Sequence, residues 1–109
     1  MNFKRILTLL GFAAKSGKLS YGFDSALTSL KKKKTKLIIA AGDISEKTYK
    51  EISYFASTGG TKHILLEGID IKTLSDAIGK RCGVVSVNDE GFAKACYNAF
   101  IEGGNANDQ

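Results

Sequence analysis

One apolar run constrains the fold more than any other stretch of this chain. Residues 37–41 read Leu-Ile-Ile-Ala-Ala, with Lys36 before them and Gly42 after them. A strand with one face in solvent alternates apolar and polar residues, whereas an unbroken apolar run of this length is typical of a strand buried on both faces. The run therefore predicts a central strand in a sheet that is covered by helices on both sides.

Amphipathic helical segments alternate with short β-branched segments along the rest of the chain. Strands are predicted at 19–21, 36–41, 63–66 and 84–87. Helices are predicted between Asn2 and Gly17, from Gly22 to the lysines at 31–34, from Glu46 to Ala56, after Asp70, and after Asn88 or Asp89. This order predicts an α/β protein, a three-layer α/β/α sandwich with a mixed, mainly parallel four-stranded sheet. We expect residues 1–102 to form one domain and residues 103–109 to form a flexible tail.

The start of the third helix has two candidate caps. Asp43 and Ser45 are both residues that cap helices, and Asp43 stands three positions before Glu46. Asp43 also follows the central strand directly, where an acidic phosphoacceptor can occur, but the spacing favours a capping role. The periodicity predicts an inward face made of Tyr49, Ile52 and Phe55.

The formal charge is distributed unevenly over the 109 residues. Residues 1–36 hold nine Lys or Arg and one acidic residue, a formal charge of +8, while residues 37–109 hold seven against ten, a charge of −3. Such asymmetry favours a densely negative partner, either nucleic acid or an anionic membrane surface, with a solvated lysine face as the alternative. The apolar run at 6–14 is too short to cross a bilayer, so we expect a soluble chain. We also expect no membrane partner.

The stretch 15–34 gives the clearest indication of function. Gly22 opens a helix in a basic neighbourhood, and helix N-termini present unpaired N–H groups with a partial positive charge. Nearby lysines add a field that attracts polyanions. The basic residues predicted to act at this site are Lys15, Lys18, Lys31, Lys32 and Lys34.

No arrangement of residues in the sequence predicts catalysis, a cofactor or a metal site. The single histidine, His63, begins an apolar strand with no nucleophile placed beside it by a motif, which favours a histidine at the rim of the core. Cys96 lies on the inward stripe of the last helix and is predicted to be a core residue. Cys82 lies in a loop where it could contact a ligand. We expect a non-enzymatic protein in a reducing, cytoplasmic setting.

Four segments together resemble a known family. They lie at 13–22, 36–43 with Ser45, 74–80 and 89–94. The chain resembles, over about residues 2–101, the kink-turn-binding ribosomal proteins of the L-seven-Ae and L-thirty-e superfamily, and more closely their bacterial YlxQ-like branch. The resemblance implies the three-layer fold and a monomer bound to structured RNA, foremost ribosomal RNA. It also implies the ribosome or translation and transcription factors as further partners.

The resemblance also implies which residues contact RNA. In the family, a glycine-led second helix carries Gly-Thr-Asn-Glu-x-x-Lys, whose polar side chains read sheared G·A pairs, and a later loop packs on a flipped-out nucleotide. Here Gly22 is kept, while Asp24, Ser25 and Thr28 stand at three of the following positions. The later loop corresponds to Gly79-Lys-Arg-Cys-Gly83, so that Arg81 and Cys82 join the predicted site.

Two other functions remain open beside RNA binding. The first is a protein-interaction module of the same fold that has lost specific RNA binding, which the departures at 24, 25 and 28 favour and the lysine run opposes. The second is a substrate-binding domain for an RNA methyltransferase. Because 109 residues leave no room for a catalytic methyltransferase domain, that role would need a second polypeptide.

Overall fold

Helices and strands alternate throughout the described part of the chain, as predicted. The computed structural model describes residues 1–102, and the predicted flexible tail at 103–109 lies outside the described residues. In chain order the elements are α1 (Phe3–Lys15), β1 (Leu19–Tyr21), α2 (Phe23–Lys31), β2 (Leu37–Ala41), α3 (Glu46–Thr58), β3 (Lys62–Leu66), α4 (Ile71–Ile78), β4 (Val84–Val87) and α5 (Glu90–Ile101). None of these described helices has the length and apolar character that a bilayer crossing demands.

The four strands form one mixed sheet in the order β1-β4-β2-β3. Strands β2 and β3 pair in parallel, while β4 pairs antiparallel with both β1 and β2. The predicted mixed four-stranded sheet is confirmed. Three strands run in one direction, but two of the three pairings are antiparallel, because the reversed strand β4 lies between β1 and β2.

Strand β2 is buried on both faces, as its apolar run predicts. Its residues 37–41 are all at most 1% exposed. Leu37, Ile39 and Ala41 face the larger core under α1, α4 and α5, and Ile38 and Ala40 face the smaller core under α2 and α3. Full burial of an Ile or Leu side chain stabilises the fold by roughly 1.5–3 kcal/mol, so this short strand anchors both helical layers.

Side-chain caps define the start of four of the five described helices. The caps and the N–H groups from which they accept are Asn2 with Arg5, Ser45 with Thr48, Asp70 with Thr73, and Asp89 with Phe92. Asn2 and Asp70, which stand before two of the predicted helices, are therefore caps, and of the two candidates Asn88 and Asp89 the cap is Asp89. These contacts fix the helix boundaries because each satisfies an N–H group that has no partner inside its helix.

Two expectations about the third helix are wrong. Ser45 caps α3, whereas the carboxylate of Asp43 accepts a hydrogen bond of 2.8 Å from the backbone N–H of Ile71, the first residue of α4. Phe55 is 37% exposed, and Ala56 is buried in its place. The predicted inward face contains Ile52 and Phe55, three residues apart. The buried positions are Ile52 and Ala56, four residues apart, and both spacings return to the same side of a helix.

The ends of β2 and β3 approach each other closely at Gly42. A Cβ atom built on Gly42 would lie 2.6 Å from the carbonyl oxygen of Leu66 and 3.0 Å from the Cα atom of Glu67. The Gly42 N–H also donates to the carbonyl of Ile69 at 2.8 Å. The atoms nearest to an added Cβ all belong to the backbone, so they cannot rotate away as a side chain would.

We expect Gly42→Ala to destabilise the protein by about 1–3 kcal/mol, because the added methyl group must displace backbone in a packed region. Urea unfolding measures this free energy. Gly59→Ala is the matched control, since Gly59 has φ −87° and a Cβ there would lie 3.6 Å from its nearest neighbour. A Gly42→Ala protein as stable as the control would contradict the close approach.

Candidate nucleic-acid interface

The start of α2 differs from that of the other described helices because no side chain caps it. Gly22 stands at the N-cap with φ 90°, a conformation that favours glycine, and makes no side-chain hydrogen bond. The first helical hydrogen bond runs from the N–H of Ala26 to the carbonyl of Gly22. The N–H groups of residues 23–25 therefore point out of the helix end without a capping side chain, and a Cβ at Gly22 would meet open space.

The loop at residues 79–83 packs beside this helix start. Ser75 Oγ accepts a hydrogen bond from the Cys82 N–H at 3.1 Å and donates one to the Cys82 carbonyl at 3.2 Å. Lys80 Nζ lies 5.2 Å from the ring centroid of Tyr21. The backbone N–H of Gly22 lies close to the Cys82 thiol, where it partly opposes the increase in the thiol pKa that burial causes. The loop that carries Arg81 and Cys82 and the start of α2 therefore share one end of the sheet.

Both thiols have raised pKa values, which argues against a reactive cysteine. Burial raises the pKa of the Cys82 thiol, and the N–H of Gly22 and the charge of Lys80 oppose this increase. Burial raises the pKa of the Cys96 thiol to about 11, and the Cys96 side chain has no exposed surface, as predicted for a core residue. At neutral pH both groups are protonated, so Cys82 presents a soft, neutral surface instead of a nucleophile.

A polar groove of about 360 Å³ runs along α2 from this helix start towards the lysine run. Its walls include Asp24, Ser25, Thr28, Lys32 and Lys34, so the structure brings these predicted residues together. Asp24, Ser25 and Thr28 lie on the exposed face of the helix. Carboxylate, hydroxyl and ammonium groups thus line one continuous surface.

Ser20, Ser29 and Asn88 line the α2 groove and belong to a hydrogen-bonded set of side chains that no pattern in the sequence predicts. Ser20 Oγ lies 2.7 Å from Ser29 Oγ and accepts a hydrogen bond of 2.8 Å from Asn88 Nδ2. Ser86 Oγ lies 2.6 Å from Asn88 Oδ1 and 2.8 Å from Thr35 Oγ1. No local pattern signals this set, because its members come from β1, α2, β4 and the loops next to them.

The remaining basic residues predicted for the site lie at the other end of β1. Strand β1 leads from Lys18 to Gly22, and α2 then returns along the sheet to the lysine run. The Lys18 carbonyl accepts a hydrogen bond of 2.8 Å from Asn88, and the N–H of Lys34 donates to Ser29 at 2.9 Å. Lys15 and Lys31 are exposed at the ends of α1 and α2. The predicted residues of the stretch 15–34 therefore lie at both ends of β1, with the α2 groove between them. They do not form one compact site.

His63 lies at the rim of the core, as predicted. Its Nδ1 atom is 3.0 Å from the hydroxyl oxygen of Tyr49, and its Nε2 atom is 3.3 Å from Ser57 Oγ. Both partners come from α3, so the imidazole joins α3 to the start of β3. These contacts give His63 a structural role.

These features define a small α/β/α protein with an uncapped, glycine-led second helix beside a basic loop. The model of the "Ribosomal protein L7Ae/L30e/S12e/Gadd45 family" matches residues 4–97. The chain belongs to this family. Membership confirms the family resemblance found in the sequence, and it confirms the prediction of a non-enzymatic protein of ribosomal type.

Individual relatives agree with the family assignment. The chain is 39% identical over 84 residues to the large ribosomal subunit protein eL30 of Candida glabrata, covering 75% of this chain and 79% of that protein. It is 29% identical over 102 residues to the RNA-binding protein YlxQ of Enterococcus faecium, covering 94% and 96% of the two chains. A protein of unknown function from Bacillus halodurans superposes with a TM-score of 0.83 at 24% identity, over 87% of this chain and 95% of that one, which shows the fold alone.

We expect only Cys82 to react with a thiol reagent in the folded protein, and to do so slowly near neutral pH. The rate should rise with pH and still be rising at pH 9, because burial raises the pKa of Cys82 above its ordinary value of 9.0 and keeps the thiolate fraction small at lower pH. Ellman's reagent measures the rate and the number of thiols. Cys82→Ser should abolish the reaction of the folded protein and Cys96→Ser should leave it, whereas fast labelling of two thiols would contradict this environment.

Proposed function

We propose that this chain is a cytoplasmic, ribosome-associated protein that binds structured RNA through the start of α2 and the loop at 79–83. The observation that carries the proposal is the uncapped N-terminus of α2 with a basic loop beside it. Helix N-termini of this kind bind anionic oxygens through unpaired N–H groups and the helix dipole. Family membership and relatives named as ribosomal or RNA-binding proteins support RNA as the source of those oxygens.

Each part of the site has a distinct task in this proposal. The N–H groups of residues 23–25 donate hydrogen bonds to a phosphate or a base-edge oxygen, and the absence of a side chain at Gly22 lets the RNA backbone come close. Asp24 and Ser25 exchange hydrogen bonds with base edges, as in a kink-turn. Arg81 pairs with phosphate, and Cys82 offers an apolar surface to an unstacked nucleotide.

Lys32 compensates for the lysine that is missing at Thr28. The backbone N–H of Lys32 donates to the carbonyl of Thr28 at 3.0 Å, so Lys32 lies one helical turn beyond Thr28. Both residues line the α2 groove. A phosphate that follows this groove meets a positive charge about 6 Å further along the axis, at the helical rise of 1.5 Å per residue.

Asp24 favours the alternative of a protein-interaction module with the same fold. Its carboxylate is exposed in the first turn of α2, where it interacts favourably with the helix dipole and opposes phosphate. A protein partner with a basic surface would suit this position. The measurements below separate the two functions because only the first requires a preference for folded RNA.

We expect Gly22→Glu to abolish tight binding to a kink-turn RNA through both bulk and charge. Ser25→Ala and Arg81→Ala should each weaken this binding by about 1–3 kcal/mol, with much smaller effects on a straight duplex of equal length. Titrations of both RNAs at one salt concentration measure the difference. Gly17→Glu is the matched control, since Gly17 has φ 70° and open space around a Cβ, at the other end of β1. Equal losses for the two glycine variants on both RNAs would leave only non-specific attraction.

We also expect RNA affinity to fall steeply with salt. Neutralisation of about four to six phosphates gives a log–log slope between about −3 and −6, and replacing residues 31–34 with alanine should flatten it. A variant with alanine at Lys4, Arg5, Lys47 and Lys50 removes the same charge elsewhere and should keep most of the slope. Identical slopes in the wild type and the 31–34 variant would show that this run is only a solvated face.

A further inference from the structure

A second groove opens at the end of the sheet opposite Gly22. It has a volume of about 620 Å³ and lies where β2, β3 and α5 begin. In the sheet, Leu37 pairs with Lys62 and with Val87, while Gly22 is bonded to Val84 at the other end of β4. The proposed RNA site at Gly22 therefore makes no use of this amino-end groove.

Three lysines from three different parts of the chain line the amino-end groove. Lys36 precedes β2, Lys62 begins β3 and Lys94 lies on α5, and Glu90 is the one acidic residue in the lining. Within residues 1–102 the structure contains one ion pair, between Lys72 and Asp76, so none of the three lysines forms an ion pair there and Glu90 leaves the lining with an excess of positive charge. Positive charge in excess at a concave surface attracts and concentrates anions.

Neighbouring side chains hold Lys62 at the wall of the groove. Its Nζ atom lies 4.3 Å from the ring centroid of Tyr97, a cation–π contact between β3 and α5. Thr61 and Asn98 add a hydroxyl and an amide to the same lining. An anion in the groove thus meets one ordered ammonium group together with neutral hydrogen-bonding groups.

The positive surface continues beyond the groove. Lys36 follows the lysine run at 31–34 along the chain, and Lys32 and Lys34 of that run line the α2 groove. The amino-end groove and the α2 groove therefore lie on either side of one basic segment. A single small anion would use one groove only, whereas a chain of phosphates is long enough to contact both.

We propose that the amino-end groove binds the phosphate backbone of a second RNA segment, an arm that extends from the RNA held at Gly22. This inference rests on the proposed function. The five residues of β2 span about 17 Å, which is less than one helical turn of a duplex, so a helical arm running from Gly22 along the protein reaches the groove. The acidic segment of a protein partner is the competing occupant.

The test compares two RNAs that share one folded core, a short form and a form whose helical arm is extended by about one helical turn, near 10 base pairs. Lys62→Gln/Lys94→Gln should weaken binding of the long RNA on the order of tenfold and reduce its log–log salt slope by about 2, with the short RNA affected less than about twofold. Lys4→Gln/Lys50→Gln removes two exposed charges elsewhere and should change neither RNA by more than about twofold. Amide resonances of Thr61, Tyr97 and Asn98 should shift with the long RNA alone.

The controls separate failure of this inference from failure of the proposed function. If Gly22→Glu weakens both RNAs while Lys62→Gln/Lys94→Gln weakens neither, only the second surface is overturned. Equal losses on the short and long RNAs, or losses matched by Lys4→Gln/Lys50→Gln, overturn it as well. If wild-type protein binds neither RNA better than a straight duplex, both proposals fail. Loss of polyglutamate binding without loss of RNA binding in Lys62→Gln/Lys94→Gln would assign the groove to an acidic protein segment.

Discussion

The burial of β2 on both faces is the constraint on which the rest of the structure depends. Because both sides of the strand are apolar, helices must cover the sheet on both sides, and the two layers leave no open sheet face. Helix ends and loops then collect at the two ends of the strands. The uncapped start of α2 lies at one end, and the amino-end groove lies at the other. This separation of the two surfaces follows from the fold.

The fold class could be predicted because its signals are local. The run at 37–41, the β-branched strand at 84–87 and the caps Asn2, Asp70 and Asp89 each act over a few residues, and all of them have the structure that the sequence indicates. The burial of Cys96 was predictable for the same reason, since a helical stripe fixes which side faces the core. Structural features that depend only on residues close together in the sequence can therefore be predicted from the sequence alone.

Features that depend on distant partners could not be predicted. Asp43 resembles a cap for the helix that follows it, yet its partner is Ile71, 28 residues away. The position of β4 between β1 and β2 is determined by tertiary packing, and the sequence patterns of the strands do not specify it. The bond between Ser20 and Asn88 spans 68 residues, and the split of the stretch 15–34 into two ends becomes evident only when α2 folds back along β1.

The hydrogen bonds of Asp43 and Ser75 bear on the entropy of binding at the loop 79–83. Asp43 fixes the first residue of α4 to the end of β2, and Ser75 on that helix holds the backbone of Cys82 at both its N–H and its carbonyl. Ordering one residue of backbone costs roughly 1–2 kcal/mol, and here that cost is met when the chain folds. A partner that docks at Cys82 meets backbone that is already held in place, so association needs less ordering there and more of the contact energy contributes to affinity.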